Sequence, residues 1–250
     1  MKEEVTGMVL SQIPVGEWDK RLVILTKEYG KISAFARGAR RAKSPLLGGT
    51  EPFMFGKFAI YRGRNSYYIT GADIQNGFGE IREDLTDIYM GLFFCEVADF
   101  CCREDMEGTE VLKLLYQSLR ALKVESIGKD LVKHIFCWKM LAFNGVIPRV
   151  FACVHCGEHQ NLTMISYESQ GMICQNCLER GVNPGGKKMQ ISQAAVYALQ
   201  YIVATPPESL YQFTLSEKVK EEFCQVTELF FYEFTGRRFP AEEMLATVGE

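Results

Sequence analysis

Four cysteines stand where they can share one metal ion. Cys153-Val154-His155-Cys156 and Cys174-Gln175-Asn176-Cys177 are two C-x2-C pairs with 17 residues between them, the spacing of a four-thiolate zinc ribbon. Two residues between thiolates bend the chain into a knuckle that aims both sulfurs at one point, and Gly157 relieves crowding just after the first pair. Residues 162–166 and 171–173 read as two short strands that hold the knuckles opposite each other. Other readings of the quartet are a thioredoxin-like redox pair, a disulfide knot, an iron–sulfur cluster and coincidence; a redox C-x-x-C begins a helix after a buried strand and needs no second copy. The expected cofactor is therefore one structural Zn2+ held by Cys153, Cys156, Cys174 and Cys177. Four sulfurs leave no open position for water or substrate, so zinc catalysis is not expected. His155 and His159 read as solvated loop residues rather than replacement ligands.

The second set of chemically telling residues is cationic. Residues 30–49 contain no acidic side chain, while Lys31, Arg37, Arg40, Arg41 and Lys43 fall among glycine, alanine and serine. Small neighbours let a polyanion approach the backbone, and arginine offers forked donors to phosphate oxygens. Lys20, Arg21, Arg62 and Arg64 form a second tier. Phe35, Phe53, Phe55, Phe58, Tyr61, Tyr67 and Tyr68 are interleaved with these cations, a composition suited to stacking bases in a charged groove. Most of those rings belong in a core. Tyr67 and Tyr68 must face opposite ways along a strand, so one of the two is the expected base-stacking ring. The competing reading is a solvated surface whose charge serves solubility alone.

These residues need elements to hold them. Residues 6–10, 21–26, 31–36, 53–61 and 66–70 are short β-branched or aromatic runs, separated by turn signals at residues 28–31 and 62–65. Five such strands in about 75 residues suit a small Greek-key barrel of the OB type, with an SH3-like barrel as the nearest rival. From Glu83 the apolar period changes to three and four. Leu85, Ile88, Leu92 and Val97 mark one helix, Leu114, Leu115 and Leu122 a second, and Leu131, Ile135, Trp138 and Leu141 a third. Ser192 caps an expected helix over 193–204, and another runs from Ser216 to Gly236. The expected fold class is α+β and multidomain: an OB-fold barrel over 1–80, an α-helical domain over 81–149 and 188–250, and a zinc-ribbon insertion over 150–187. Cys95, Cys101, Cys102, Cys137 and Cys224 read as buried small hydrophobes and His134 as a satisfied helical histidine.

Composition bounds the rest. The chain has 250 residues, 47% hydrophobic and 24% charged, with a net charge of -3, which excludes disordered and collagen-like classes. The average hides an asymmetry: residues 1–80 carry 12 Lys/Arg against 8 Asp/Glu. No run of 18 apolar residues exists and the start, Met1-Lys2-Glu3-Glu4, leads into no apolar leader, so neither a membrane nor a secretory path is expected. Nine cysteines, an odd number, suit a reducing cytoplasm. No phosphate-binding loop, G-x-S-x-G elbow, H-E-x-x-H helix or paired carboxylates for a two-metal nuclease is present, so no enzyme is expected.

The chain resembles the RecO family of bacterial recombination-repair mediators. The likeness lies in Gly7-Met8-Val9-Leu10, in Glu17-x-Asp19-x-x-Leu22, in the stretch from Leu25 to Ile32, in Ala36-Arg37-Gly38-Ala39-Arg40-Arg41 before Ser44, and in the four cysteines with their flanking helices. The resemblance implies an OB-fold, a helical domain and a zinc element found in part of the family. It also implies binding to single- and double-stranded DNA, annealing of complementary strands, and work with RecR to load RecA onto strands coated by single-strand-binding protein, in the cytoplasm and at the nucleoid. The acidic tail of that coating protein is a family-implied partner. Arg237-Arg238-Phe239, or Lys133 and Lys139, are its candidate socket, with ordinary helix-end charge as the plainer reading. A zinc-stabilised interaction hub with incidental DNA binding is the alternative function.

Overall fold

In a computed structural model, residues 2–64 and 66–248 are described; Asn65, in the expected turn at 62–65, lies outside them. The chain divides into two compact units, one of residues up to Lys123 together with those from Phe239, the other Val124–Arg238.

The first unit is built on five strands, β1 (Lys2–Val15), β2 (Asp19–Thr26), β3 (Gly30–Ala36), β4 (Phe55–Arg62) and β5 (Tyr67–Asn76). They close into a barrel in the order β1-β2-β3-β5-β4, with β3 and β5 parallel and the other pairs antiparallel. Period-two alternation makes the barrel interior: Leu22 and Ile24, Ile32, Ala34 and Ala36, Phe58 and Ile60, and Tyr67 and Ile69 point inward and are buried. Closure depends on β1. Its first half pairs with β4 and its second with β2, and a bulge between Val9 and Ser11 bends it from one partner to the other.

Helices α1 (Leu85–Cys101) and α2 (Thr109–Ala121) follow. Asp84 caps α1, its carboxylate accepting from the Asp87 amide at 2.9 Å. The expected strand over 53–61 is corrected at its start. Phe53 has φ 73 and precedes β4, and its ring, 1% exposed, packs on α1. A Cβ at Gly91 would meet that ring at 2.9 Å, so only glycine lets the helix lie over it. Helix α7 (Pro240–Val248) packs on α1, and Phe239 stacks edge-on to Phe93 and Phe100 at 5.7 and 5.9 Å. By packing, α1, α2 and α7 group with the barrel, and this unit runs to Lys123.

In the second unit α3 (Lys129–Phe143), α5 (Gln193–Ala204) and α6 (Glu217–Thr235) pack together. Helix α3 is buried over most of its circumference, so it is the central one. Ser192 accepts from the Ala195 amide at 3.2 Å to start α5, and Gly236, with φ 63, ends α6. A three-stranded sheet, β7 (Gly171–Cys174), β6 (Leu162–Ser166) and β8 (Lys188–Gln190) in that order, carries the cysteine region together with α4 (Gln175–Glu179). The third strand, β8, has no counterpart in the two-stranded expectation; three residues give too short a period to read.

Two expected socket residues have other duties. Lys139 is 4% exposed, and its ammonium donates to the carbonyls of Ile202, Val203 and Thr205 at 3.0, 2.8 and 2.8 Å. It satisfies the last turn of α5, where acceptors are otherwise orphaned. Phe239 is buried, 2% exposed, so it offers no apolar surface. We expect Lys139→Ala to strand those carbonyls and cost about 2–4 kcal/mol, read as a lower denaturant midpoint for the second unit.

Candidate nucleic-acid interface and metal centre

Strand register turns alternation into an outward row on the barrel. Arg21 on β2 is directly opposite Phe35 on β3, Phe35 is opposite Tyr68 on β5, and Tyr68 is opposite Tyr61 on β4. All four face out because their neighbours Leu22, Ala34, Ala36, Tyr67 and Ile60 fill the interior. The rings of Phe35 and Tyr68 have centroids 6.0 Å apart, those of Tyr68 and Tyr61 6.4 Å. Arg37 lies over Tyr68 at 4.8 Å, a cation–π contact that keeps a charge beside the ring. Of the two candidate tyrosines, Tyr67 is 4% exposed and in the core, and burial raises its phenol pKa, whereas Tyr68 stands half-buried on the outer face.

Beside the row lies an open groove of about 400 Å³ lined by Arg21, Ser33, Phe35, Arg62, Arg64 and Glu104, among others. Three of the expected cations therefore meet the rings of Phe35 and Tyr67 in one place, with Arg62 over the Tyr67 ring at 5.5 Å. Such a surface offers charge to phosphates and flat apolar faces to bases.

Arg37 stands beside the groove on the Tyr68 ring; the remaining expected cations lie elsewhere. Lys20 is a correction: it is 5% exposed, and its ammonium is held by Glu51 at 2.6 Å and Thr50 at 3.2 Å. Lys31 pairs with Asp99 at 3.0 Å. It sits six residues before Arg37, near the opposite end of β3, so roughly 20 Å separates the two. Arg40 donates to the carbonyls of Gly16 and Glu17 at 3.2 and 3.1 Å, while the Gly38 amide donates to Asp19 at 2.7 Å. These bonds pin the loop after β3 onto the β1–β2 turn. Arg41 lies over Trp18 at 5.9 Å, and Lys43 is exposed. Trp18, 44% exposed, is a ring that composition alone passed over; its place in a hairpin turn, outside the alternating strands, is the signal that it need not be core.

The cysteine quartet converges. Its four sulfurs lie within 4.8 Å of one another, with Cys153 to Cys177 at 3.8 Å and Cys156 to Cys174 at 3.6 Å. Zn–S bonds of about 2.3 Å place tetrahedral ligand sulfurs about 3.8 Å apart, far longer than a disulfide of about 2.05 Å. The residues fit a closed four-thiolate site. Gly157, with φ 78, turns the first knuckle, and its amide donates to the Cys153 carbonyl at 3.0 Å. The end of β7 delivers Cys174, and the first turn of α4 delivers Cys177.

Charge explains what an ion would add. Burial works to raise the Cys153 thiol, yet amide donors from Cys174, Cys156 and His155 outweigh it and bring it down to about 6. The adjacent Cys156 sulfur, followed by burial, pushes Cys177 up to about 12. Four thiolates so close repel one another, and a divalent cation removes that penalty. His155 and His159 stand outside the cluster, both exposed. Of the five remaining cysteines Cys95 and Cys137 are buried, while Cys101, Cys102 and Cys224 are only partly so, a correction for those three.

Comparison with known proteins assigns the chain. The family described as Recombination protein O N terminal matches residues 1–78, and that described as Recombination protein O C terminal matches residues 82–243. This chain belongs to the RecO family. It is 29% identical to the DNA repair protein RecO of Acetivibrio thermocellus over 98% of its own length and 96% of that protein. With the DNA repair protein RecO of Bacillus pumilus it shares 31% identity, over 92% and 88% of the two chains. With that of Clostridium perfringens it shares 28%, over 99% and 98%. Among the described residues no helix is long and apolar enough to cross a membrane.

Proposed function

We propose that this protein is a non-catalytic DNA-repair mediator whose barrel, an OB-fold, binds single- and double-stranded DNA and anneals complementary strands. The observation that carries the reading is the outward row Arg21, Phe35, Tyr68 and Tyr61, with Arg37 on its central ring and Arg62 and Arg64 in the adjoining groove. Two strands repel through their phosphates, and a surface that neutralises both lowers the cost of their encounter. Energy for exchange then comes from base pairing, with no nucleotide consumed.

With RecR as its partner the protein loads RecA onto strands coated by single-strand-binding protein, contacting the acidic tail of that coat, at the cytoplasmic nucleoid. These steps rest on membership of the RecO family. One structural Zn2+ on Cys153, Cys156, Cys174 and Cys177 folds the ribbon and takes no part in chemistry. The zinc-stabilised hub leaves the exposed aromatic row without a purpose, because apolar rings held beside arginines contribute nothing to solubility.

The test is annealing of complementary oligonucleotides precoated with single-strand-binding protein, with and without RecR and with no nucleotide added. Annealing that RecR accelerates is the expected result. Failure to anneal both bare and coated strands would exclude the mediator reading.

A further inference from the structure

Two helices of the second unit bring together ligand-bearing residues that neither the ribbon nor the barrel uses. Asp130 and His134 are one turn apart on α3, and Cys224 and Glu228 are one turn apart on α6, so each pair shares one helix face. The two faces meet. Cys224 Sγ is 3.7 Å from Asp130 Oδ2, His134 Nδ1 is 3.4 Å from Asp130 Oδ1, and His134 Nε2 is 3.3 Å from Glu228 Oε1. Ligand atoms of Asp130, His134 and Cys224 all lie within 4.8 Å of one another.

We propose that Asp130, His134 and Cys224 form a second metal site, for a divalent ion of the Zn2+ or Co2+ class, with Glu228 as the positioning residue for the imidazole. One thiol, one imidazole and one carboxylate form the mixed donor set that such borderline ions accept. Bonds of about 2.0 Å to nitrogen and oxygen and about 2.3 Å to sulfur imply tetrahedral edges of roughly 3.3 to 3.5 Å. Asp130 reaches both partners with different oxygens, Oδ1 at 3.4 Å from Nδ1 and Oδ2 at 3.7 Å from Sγ, so its exposed carboxylate turns to offer one oxygen to the ion. With Nδ1 on the ion, Nε2–H donates to Glu228 Oε1 at 3.3 Å; metal-binding histidines commonly have such a carboxylate behind them.

Local charge favours a cation. Asp130 and Glu228 flank one imidazole with a thiol beside it. Of the basic groups nearby, Lys220 is held by Glu217 at 3.0 Å, while Lys133 and Arg238 act on Glu228. His134 is 5% exposed in its side chain and so fixed, whereas Asp130 is 60% exposed and opens the site to solvent. Three protein ligands leave a fourth position for water, unlike the closed quartet of the ribbon. In exchange Nδ1 gives up its 2.8 Å contact with the Asp130 carbonyl. The competing arrangement is metal-free: His134 bridges the Asp130 carbonyl and the Glu228 carboxylate by hydrogen bonds alone.

Full-length protein with zinc in the ribbon, titrated with Co2+, separates the two. The expected result is one Co2+ per chain with four-coordinate visible bands and a charge-transfer band of single-thiolate intensity, which the four-thiolate ribbon would exceed severalfold. Cys224→Ser should abolish that band, and Glu228→Gln should weaken binding by about 10- to 100-fold. Asp130→Asn, at an exposed position, tests the site where Cys224→Ser or His134→Asn fails to fold, and should also weaken binding. No Co2+ taken up beyond the ribbon, or uptake equal in all the variants, overturns the proposal and leaves His134 as a hydrogen-bonded link between α3 and α6. The outcome is independent of whether the barrel binds DNA.

Discussion

Replacing Tyr68 by Ala should weaken single-strand binding about 5- to 150-fold while leaving its dependence on salt unchanged; replacing Arg21, Arg62 and Arg64 together should do the opposite kind of damage. The first number follows from stacking worth about 1–3 kcal/mol per base. A base on the Phe35–Tyr68–Tyr61 row loses its central platform, but no phosphate contact is removed. The triple arginine variant loses charge alone. With a slope of about −0.7 per phosphate on single strands, the plot of log affinity against log salt flattens by roughly 2, and affinity falls about tenfold or more. Fluorescence titration of an oligonucleotide at several salt concentrations reads both quantities.

The two responses are orthogonal, so they separate this surface from a merely soluble one. A solubilising surface predicts no effect of Tyr68→Ala and a small, position-independent loss for any three arginines. Lys20 supplies the control. Its ammonium is spent on Glu51 and Thr50, so Lys20→Met should lower stability and leave the salt slope where it was. A slope that flattens equally for Lys20→Met and for the arginine triple would remove the groove as the phosphate track. Arg40 makes a second contrast, since its bonds to Gly16 and Glu17 carbonyls hold a turn and its loss should act through the shape of the loop.

Why some of this is readable in the chain and some not has a physical basis. Ser192, Gly236 and the C-x2-C knuckles act over three to five residues, and their effect is written in the same few residues that carry them. Alternation in β3 likewise decides that Phe35 faces out once Ile32, Ala34 and Ala36 face in. Charge has no such local code. Lys20 and Lys139 look like any surface lysine until Glu51, 31 residues away, and the end of α5, 63 residues away, are brought to them. The division after Lys123 is equally hidden, because a helix period states that a face is buried and not which partner buries it. Phe53 shows the same limit: a β-favouring ring leaves the strand because Gly91 makes room for it under α1.

Stripping the metal from the ribbon should lower the stability of the second unit sharply and leave the barrel working. Zinc binding in isolated ribbons and fingers is worth about 10–16 kcal/mol near neutral pH, and that energy is folding energy because no site exists in the unfolded chain. Only part of it is lost here. Strands β6, β7 and β8 keep their hydrogen bonds, and Leu162, Ile165, Met172 and Ile173 stay buried, so the sheet retains an apolar anchor without the ion. A fall of several kcal/mol is the expected size, seen as a separate early transition in calorimetry of the chelated protein. Cys174→Ser should reproduce it, since one missing sulfur breaks the tetrahedron. Acid should do the same by degrees: metal binding requires thiolates, protons compete for them, and stability supplied by the ion is present at neutral pH and lost as pH falls. Oligonucleotide affinity at neutral pH should survive chelation, because the row and its arginines lie wholly in the first unit. A chelated protein with an unchanged unfolding profile would show that the quartet contributes no stability through metal, and equal loss of DNA binding would show that the two units do not act separately.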